Sequence, residues 1–131
     1  MREIIFRGKI KRENGVWKRG DWAFGPFTHI EDGGIGSAFI YGKGEVFEET
    51  VGQYTGLDDK NGKKIFEGDI VKILFEDGTY EAGAVVWSDA DARYKFNSPD
   101  GAAYGIDRTV RMEVIGNVHD DPELLKGGVS E

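Results

Sequence analysis

A chain of 131 residues without cysteine can form one domain with a modest core, and it excludes disulfides, thiol nucleophiles and cysteine-ligated zinc. Its formal net charge of -7 disfavours general affinity for nucleic-acid phosphates, because like charges repel. Neither the amino-terminal residues nor the short apolar runs indicate export or membrane insertion, so we expect a cytoplasmic protein. The 20 glycines and 12 % aromatic residues are typical of short strands joined by tight turns.

The first predicted element is a β-hairpin with strands at residues 4–12 and 16–24, turning at Asn14-Gly15. Asn-Gly and Asp-Gly pairs favour hairpin loops because both central positions of a type I′ turn need a positive φ. On the first strand, Lys9 and Lys11 are predicted to point toward solvent, opposite an apolar face. That apolar face consists of Ile4, Phe6 and Ile10.

This hairpin is the most basic part of the chain. Residues 1–20 contain seven lysines and arginines against two glutamates, a net charge of +5 that leaves -12 for the remainder. Aromatic residues among cations can hold single-stranded nucleic acid by stacking and phosphate neutralisation. We favour core aromatics and solvated lysines, because the rest of the chain is acidic, but the alternative stays open. Its contact residues would be Arg7, Lys9, Lys11, Arg12, Trp17, Lys18, Arg19 and Trp22.

Glycines punctuate residues 25–44, which we interpret as a strand pair at 27–30 and 37–41, followed by another strand at 45–54. We predict that residues 1–56 form an N-terminal β region. Residues 57–126 are predicted to form a second region that packs against it as one compact unit. Residues 127–131 are expected to be a disordered tail.

The strongest β signal is at residues 69–75, which turn at Asp77-Gly78 into a strand at 79–87. Two short strands, 93–96 and 103–106, flank Asp100-Gly101, and a last strand at 113–118 precedes a helical turn that Asp121 caps and Pro122 begins. These five strands indicate an SH3-like, partly open β-barrel. The predicted fold class is therefore mainly β, with an N-terminal β-hairpin and sheet region, this barrel and a short C-terminal helical turn.

The residues able to carry chemistry do not form a recognisable site. Residues 29–32 and 119–121 combine histidine with carboxylates, but both clusters lie in or beside predicted loops, so we predict no metal site. Residues 58–62 fail the register of a calcium loop, and Gly33-Gly34-Ile35-Gly36 lacks the Gly-Lys-Ser/Thr and helix of a phosphate loop. We therefore expect no catalytic residues, no cofactor and no enzyme activity.

Three segments in the expected order resemble the YopX family of phages and prophages. The longest is VGQYTGLDDKNGKKIFEGDIVK at residues 51–72, and residues 1–8 (MREIIFRG) and 114–125 (VIGNVHDDPELL) resemble the two ends of that family. Residues 25–44 and 88–104 carry no matching motif. The signature residues of the longest segment are Gln53, Tyr54, Thr55, Gly56, Asp59, Lys60, Asn61, Gly62, Glu67, Gly68 and Asp69.

The resemblance implies phage or prophage origin, a place in the cytoplasm of the bacterial host, and self-association into homo-oligomers; it implies no activity or cofactor. We therefore expect a non-catalytic accessory protein acting through protein contacts, with itself as one partner, any other protein partner unknown and no membrane association. The alternative is the nucleic-acid-binding module described above.

The signature itself fits a strand–loop–strand junction, in which Gln53, Tyr54 and Thr55 end a strand. We interpret it as a folding clasp between the N-terminal sheet and the barrel. Binding by Tyr54, Asp59 or Lys60 would be an additional role.

Overall fold

The computed structural model describes residues 4–11, 22–32 and 35–125. Strands account for 56 % and helical turns for 6 %, which confirms the prediction of a mainly β protein. Within the described ranges, no helix is long and apolar enough to cross a membrane. The chain divides into two units, Met1–Tyr54 and Thr55–Glu131. The predicted packing of two regions as one compact unit stays a prediction, and the predicted tail at 127–131 lies outside the described residues.

The first unit begins with the predicted hairpin pairing. Strand β1 (Phe6–Lys9) pairs antiparallel with β2 (Trp22–Gly25), in a register that sets Phe6 opposite Gly25 and Lys9 opposite Trp22. The pairing is confirmed, whereas the predicted turn at Asn14-Gly15 lies outside the described residues. On its other side, β1 pairs with the start of strand β6 (Gly52–Asp58).

A three-stranded antiparallel sheet follows, and it confirms the predicted strand pair between residues 25 and 44. Its order is β3 (Phe27–Asp32), β4 (Ile35–Ile40) and β5 (Gly44–Val46).

The single strand predicted at residues 45–54 is wrong. A 3-10 turn at Glu48–Thr50 separates β5 from β6, because the Thr50 hydroxyl donates a hydrogen bond to the Phe47 carbonyl (2.6 Å) and accepts one from the Lys9 N–H (2.8 Å). A threonine in this position curls the chain instead of extending it.

The buried core residues of the first unit come from strands β2, β4 and β5. Gly8 faces Val46 so closely that a Cβ at position 8 would lie 2.9 Å from the Val46 Cβ. Ile4, predicted to share the apolar face of the hairpin, is instead 68 % exposed, because β1 begins only at Phe6. The buried residues are Ala23, Ala38, Ile40 and Val46, with Phe6, Ile10, Phe27 and Val51 packed against them.

The second unit contains a five-stranded antiparallel sheet in the order β11-β10-β9-β8-β12, preceded by the short strand β7 (Lys64–Phe66). The five strands predicted from residue 69 onward and the C-terminal helical turn, a 3-10 turn at Pro122–Leu125, are confirmed. The sheets are not closed into a barrel, so the SH3-like barrel is not confirmed. The strands are β8 (Asp69–Leu74), β9 (Tyr80–Ser88), β10 (Arg93–Asn97), β11 (Ala103–Gly105) and β12 (Met112–Asn117).

One face of this sheet carries the core of the second unit. The ring of Phe96 lies over Gly83 of β9, so that a Cβ at position 83 would be 2.4 Å from the Asn97 carbonyl oxygen and 2.7 Å from the Phe96 ring. Only glycine therefore lets β9 pass beneath this ring. The core residues are Ile65, Val71, Ile73, Val85, Phe96, Ile106 and Met112.

We predict that Gly83→Ala destabilises the protein by about 1–3 kcal/mol, the usual cost of forcing extra volume into a packed core. The midpoint of urea unfolding measures this loss. Ala92→Gly is the reciprocal control: Ala92 has a φ of 52°, which glycine adopts without steric cost, so this variant should lose no stability. A wild-type midpoint in Gly83→Ala would contradict the packing described here.

Candidate functional site

The signature loop between β6 and β7 is organised by one carboxylate. Asp59 is 8 % exposed; its Oδ1 accepts the N–H groups of Asn61 (2.8 Å) and Lys63 (2.9 Å), and its Oδ2 accepts the Val114 N–H (2.9 Å). The next N–H, that of Lys60, donates to the Met112 carbonyl at 2.8 Å. Two consecutive signature residues thus satisfy two outward-facing backbone groups of β12, a strand at the end of the five-stranded sheet.

These contacts also set the electrostatics of Asp59. Burial acts to raise its pKa, but the three backbone N–H donors and the nearby charge of Lys63 act in the opposite direction. The result is a pKa below the ordinary value of 3.8, so the carboxylate stays ionised and bonded at neutral pH.

The second half of the signature is a tight turn before β8. Asp69 is 1 % exposed, and its carboxylate accepts the Phe66 N–H at 2.7 Å. Gly68, with a φ of 93°, donates to the Val85 carbonyl and accepts from the Val118 N–H, both at 2.8 Å. The turn is therefore held to β9 and to the residue after β12.

Thr55 completes the structural role of the signature. Its hydroxyl donates to the Ile65 carbonyl (2.8 Å) and accepts the Leu57 N–H (3.1 Å). Residues 53–55 do not end a strand as predicted, since β6 continues to Asp58 and Gly56 adopts a φ of 88° within it. The side chains of Thr55, Asp59 and Asp69 are thus engaged with backbone groups inside the second unit.

The predicted nucleic-acid residues are arranged differently from the expectation. Lys9 is completely buried and Arg7 is 7 % exposed, so the predicted solvent orientation of Lys9 is wrong. The physical reason is Trp22 on the paired strand, whose ring centroid lies 4.7 Å from the Arg7 Cζ and 5.5 Å from the Lys9 Nζ. Lys11 is exposed and lies 3.4 Å from a Glu45 carboxylate oxygen.

The other predicted contacts, Arg12, Trp17, Lys18 and Arg19, lie outside the described residues, and the nucleic-acid role stays a prediction. Within the described ranges, no three His, Asp or Glu side chains are grouped to hold a metal ion. His29 instead lies with its Nε2 3.4 Å from a Glu48 carboxylate oxygen.

The second unit has a groove of about 790 Å³ beside the Asp77-Gly78 hairpin, bordered by β11, residues 109–111 and Lys60. Its walls are held by two similar turns, in which the carboxylates of Asp77 and Asp107 accept the N–H groups of Thr79 (2.9 Å) and Thr109 (2.8 Å). Hydrogen bonds from the threonine hydroxyls lower the pKa of both aspartates most, and hydrogen bonds from the threonine N–H groups lower it further. The groove is therefore bordered by two fixed turns.

Two aromatic side chains give the groove its apolar surface. Phe75 is 42 % exposed and Tyr104 is 40 % exposed. The Tyr104 ring stacks on Phe96 with 5.6 Å between centroids, and its hydroxyl bonds to Glu81, which raises the pKa of Tyr104 above 10.0. Tyr104 is thus a fixed, neutral aromatic surface.

Cations border the groove as well. Lys60 and Arg111 both line it, and the Lys60 Nζ lies 3.9 Å from a Glu113 carboxylate oxygen. An apolar surface with cations at its rim can bind a ligand that combines an apolar part with a negative charge. Sequence analysis missed this site because Phe75 and Tyr104 occupy predicted strands, where alternation alone does not separate an exposed aromatic residue from a core one.

The described part of the chain is a mainly β protein. Its signature side chains Thr55, Asp59 and Asp69 support backbone structure, and two of its exposed aromatic residues, Phe75 and Tyr104, line a groove. A family model described as YopX protein matches residues 6–126, and the chain belongs to the YopX family. The resemblance noted in the sequence is therefore confirmed.

The chain is also similar to a solved structure described as protein EF1440 from Enterococcus faecalis. The two share 21 % sequence identity with a TM-score of 0.50, over 96 % of this chain and 100 % of that chain. At this identity the likeness is one of fold. No curated protein matches the chain.

We predict that Asp59→Asn lowers the free energy of unfolding at pH 7 by about 1–3 kcal/mol, because its amide would direct N–H groups at a backbone donor that the carboxylate now satisfies. A group with a lowered folded pKa stabilises above its unfolded pKa and loses that contribution as pH falls through the folded value. The difference from wild type should therefore shrink below about pH 3.8.

Urea unfolding at neutral and acid pH measures both effects. Glu76→Gln is the control, since the Glu76 side chain is exposed and surface substitutions usually change stability by less than about 0.5 kcal/mol. Equal losses in the two variants would contradict the role given to Asp59.

Proposed function

We propose that this YopX protein is a non-catalytic, phage- or prophage-encoded accessory protein of the bacterial cytoplasm. It acts through protein contacts, including contacts between its own copies. The observation that carries the proposal is the groove of the second unit, where two large aromatic side chains are exposed in one concave surface. Aromatic residues exposed together mark interaction surfaces more often than isolated ones do.

The residues that line the groove favour binding over chemistry. Tyr104 is held neutral by Glu81, and the two aspartates beside the groove are bonded within their own turns. Catalysis would need an ionisable group aimed at a substrate with a pKa near neutrality. The groove instead combines apolar side chains with two cations, Lys60 and Arg111, and one carboxylate, Glu76. The excess of positive charge suits an extended protein segment with an apolar and an acidic side chain.

The positions of Arg7 and Lys9, the two cations on strand β1, favour protein contacts over nucleic-acid binding. Arg7 and Lys9 lie buried against Trp22, where they cannot reach phosphates without rearrangement. Because the protein's own cations already cover the Trp22 ring, this ring is a poor surface for stacking nucleic-acid bases.

The groove can be tested with 8-anilinonaphthalene-1-sulfonate, an anionic aromatic dye that fluoresces on apolar surfaces. We expect the folded protein to bind the dye, and Phe75→Ser to weaken binding roughly tenfold, equivalent to about 1.4 kcal/mol. Tyr41→Ser is the matched control, because Tyr41 is 76 % exposed and lies outside the groove. If the folded wild type leaves the dye dark, or the two variants bind equally, the groove is not the contact surface.

Self-association predicts a mass above that of one chain. Light scattering at micromolar protein concentration should give a multiple of 14.5 kDa that falls on dilution. A mass of 14.5 kDa at every concentration would reject self-association, although it would leave the groove proposal in place.

A further inference from the structure

Strand β3 ends the three-stranded sheet of the first unit. Among the described strands, its one neighbour is β4. Residues 28–31 are all exposed, and Ile30 is 53 % exposed in the middle of the strand. A six-residue edge strand with an apolar side chain at its centre can pair with another strand.

The hydrogen-bond pattern shows which groups of β3 are available at this edge. The Tyr41 N–H donates to the Pro26 carbonyl at 2.8 Å, so positions 26 and 41 form a hydrogen-bonded pair. Hydrogen-bonded and non-bonded pairs alternate along antiparallel strands. The even residues of β3 therefore bond to β4, while Phe27, His29 and Glu31 direct their N–H and C=O groups outward.

We infer that β3 pairs antiparallel with β3 of a second copy of this chain, with Ile30 opposite Ile30 at the two-fold axis. The inference rests on the proposed self-association and assigns its surface. In this register, His29 of each copy lies opposite Glu31 of the other copy. The outward N–H and C=O groups of these four residues form the hydrogen bonds between the two strands.

Side-chain pairing selects this register among those that the outward groups allow. A register centred on Glu31 sets two like-charged carboxylates opposite each other, which destabilises a pair of strands, and one centred on His29 sets Ile30 opposite Thr28. The register centred on Ile30 pairs the two isoleucines with each other. It also sets each Glu31 carboxylate opposite an imidazole, which can donate a hydrogen bond to it.

The distribution of charge also favours the first unit as the place of contact. Residues 1–54 contain eight lysines and arginines and eight aspartates and glutamates, a net charge of zero. Residues 55–131 contain nine and sixteen, which accounts for the whole charge of -7. Contact through the neutral unit avoids the repulsion that contact between two acidic units would bring.

The absence of cysteine from the chain makes this register directly testable. In a non-hydrogen-bonded antiparallel pair the Cα atoms lie about 4.5 Å apart, which a disulfide can span. Ile30→Cys should therefore form a disulfide-linked dimer under mild oxidation, visible as a doubled mass on a non-reducing gel. In Thr28→Cys, the matched control on the same strand, the two cysteines would lie about 13 Å apart along the strands. A disulfide cannot span this distance, so the control should run at the mass of one chain on the same gel.

A second pair of variants measures association without cross-linking. Ile30→Lys places two like charges at the axis and should reduce the light-scattering mass to 14.5 kDa, whereas Tyr41→Lys, at a more exposed site of the same unit, should keep the wild-type mass. Circular dichroism checks that each variant is folded.

The outcomes separate this inference from the proposed function. Cross-linking at position 30 and loss of mass in Ile30→Lys support the β3 interface. Cross-linking at position 28 instead, or an oligomer that persists in Ile30→Lys without cross-linking at position 30, overturns the β3 interface and leaves self-association standing. A monomeric wild type overturns self-association itself.

Discussion

The structure of the second unit depends on the carboxylate of Asp59. It is buried, ionised and bonded to three backbone N–H groups, one of which belongs to Val114, 55 residues later in the chain. Through this contact and the adjacent Lys60 N–H, a loop covers the Met112–Val114 part of the outer edge of β12. Ile65, which begins the core, follows that loop directly, so the same carboxylate positions both the edge of the sheet and the entry to its interior.

This role explains why the most recognisable segment of the chain says so little about function. Asp59, Asp69 and Thr55 all direct their polar atoms at backbone groups that would otherwise be buried without partners. Such residues identify a fold because few side chains can replace them there. They are poor candidates for binding, because a partner would have to compete with the bonds that hold the loop.

Local patterns predicted the hairpins well and the long-range contacts poorly. Asp77-Gly78 and the alternation around it were sufficient to find β8 and β9, because the turn and the apolar period act within a few residues. The break at Thr50 was not predictable in this way, since it depends on a hydrogen bond to Lys9, 41 residues earlier. The burial of Lys9 likewise depends on Trp22, so a lysine on an alternating strand was assigned to the wrong environment. The groove requires Phe75 and Tyr104 to meet across distant segments, which periodicity does not report.

The end strands of the two sheets, β12 and β3, differ in how far other residues cover their edges. This difference connects the fold to the proposed function. The edge of β12 is partly covered by the signature loop, in a unit that carries the whole net negative charge. The edge of β3 has outward N–H and C=O groups at His29 and Glu31, in a unit whose net charge is zero. An uncovered edge is a liability unless something pairs with it. A second copy brings the same alternation of imidazole, isoleucine and carboxylate in reverse order, which is the order that an antiparallel partner needs.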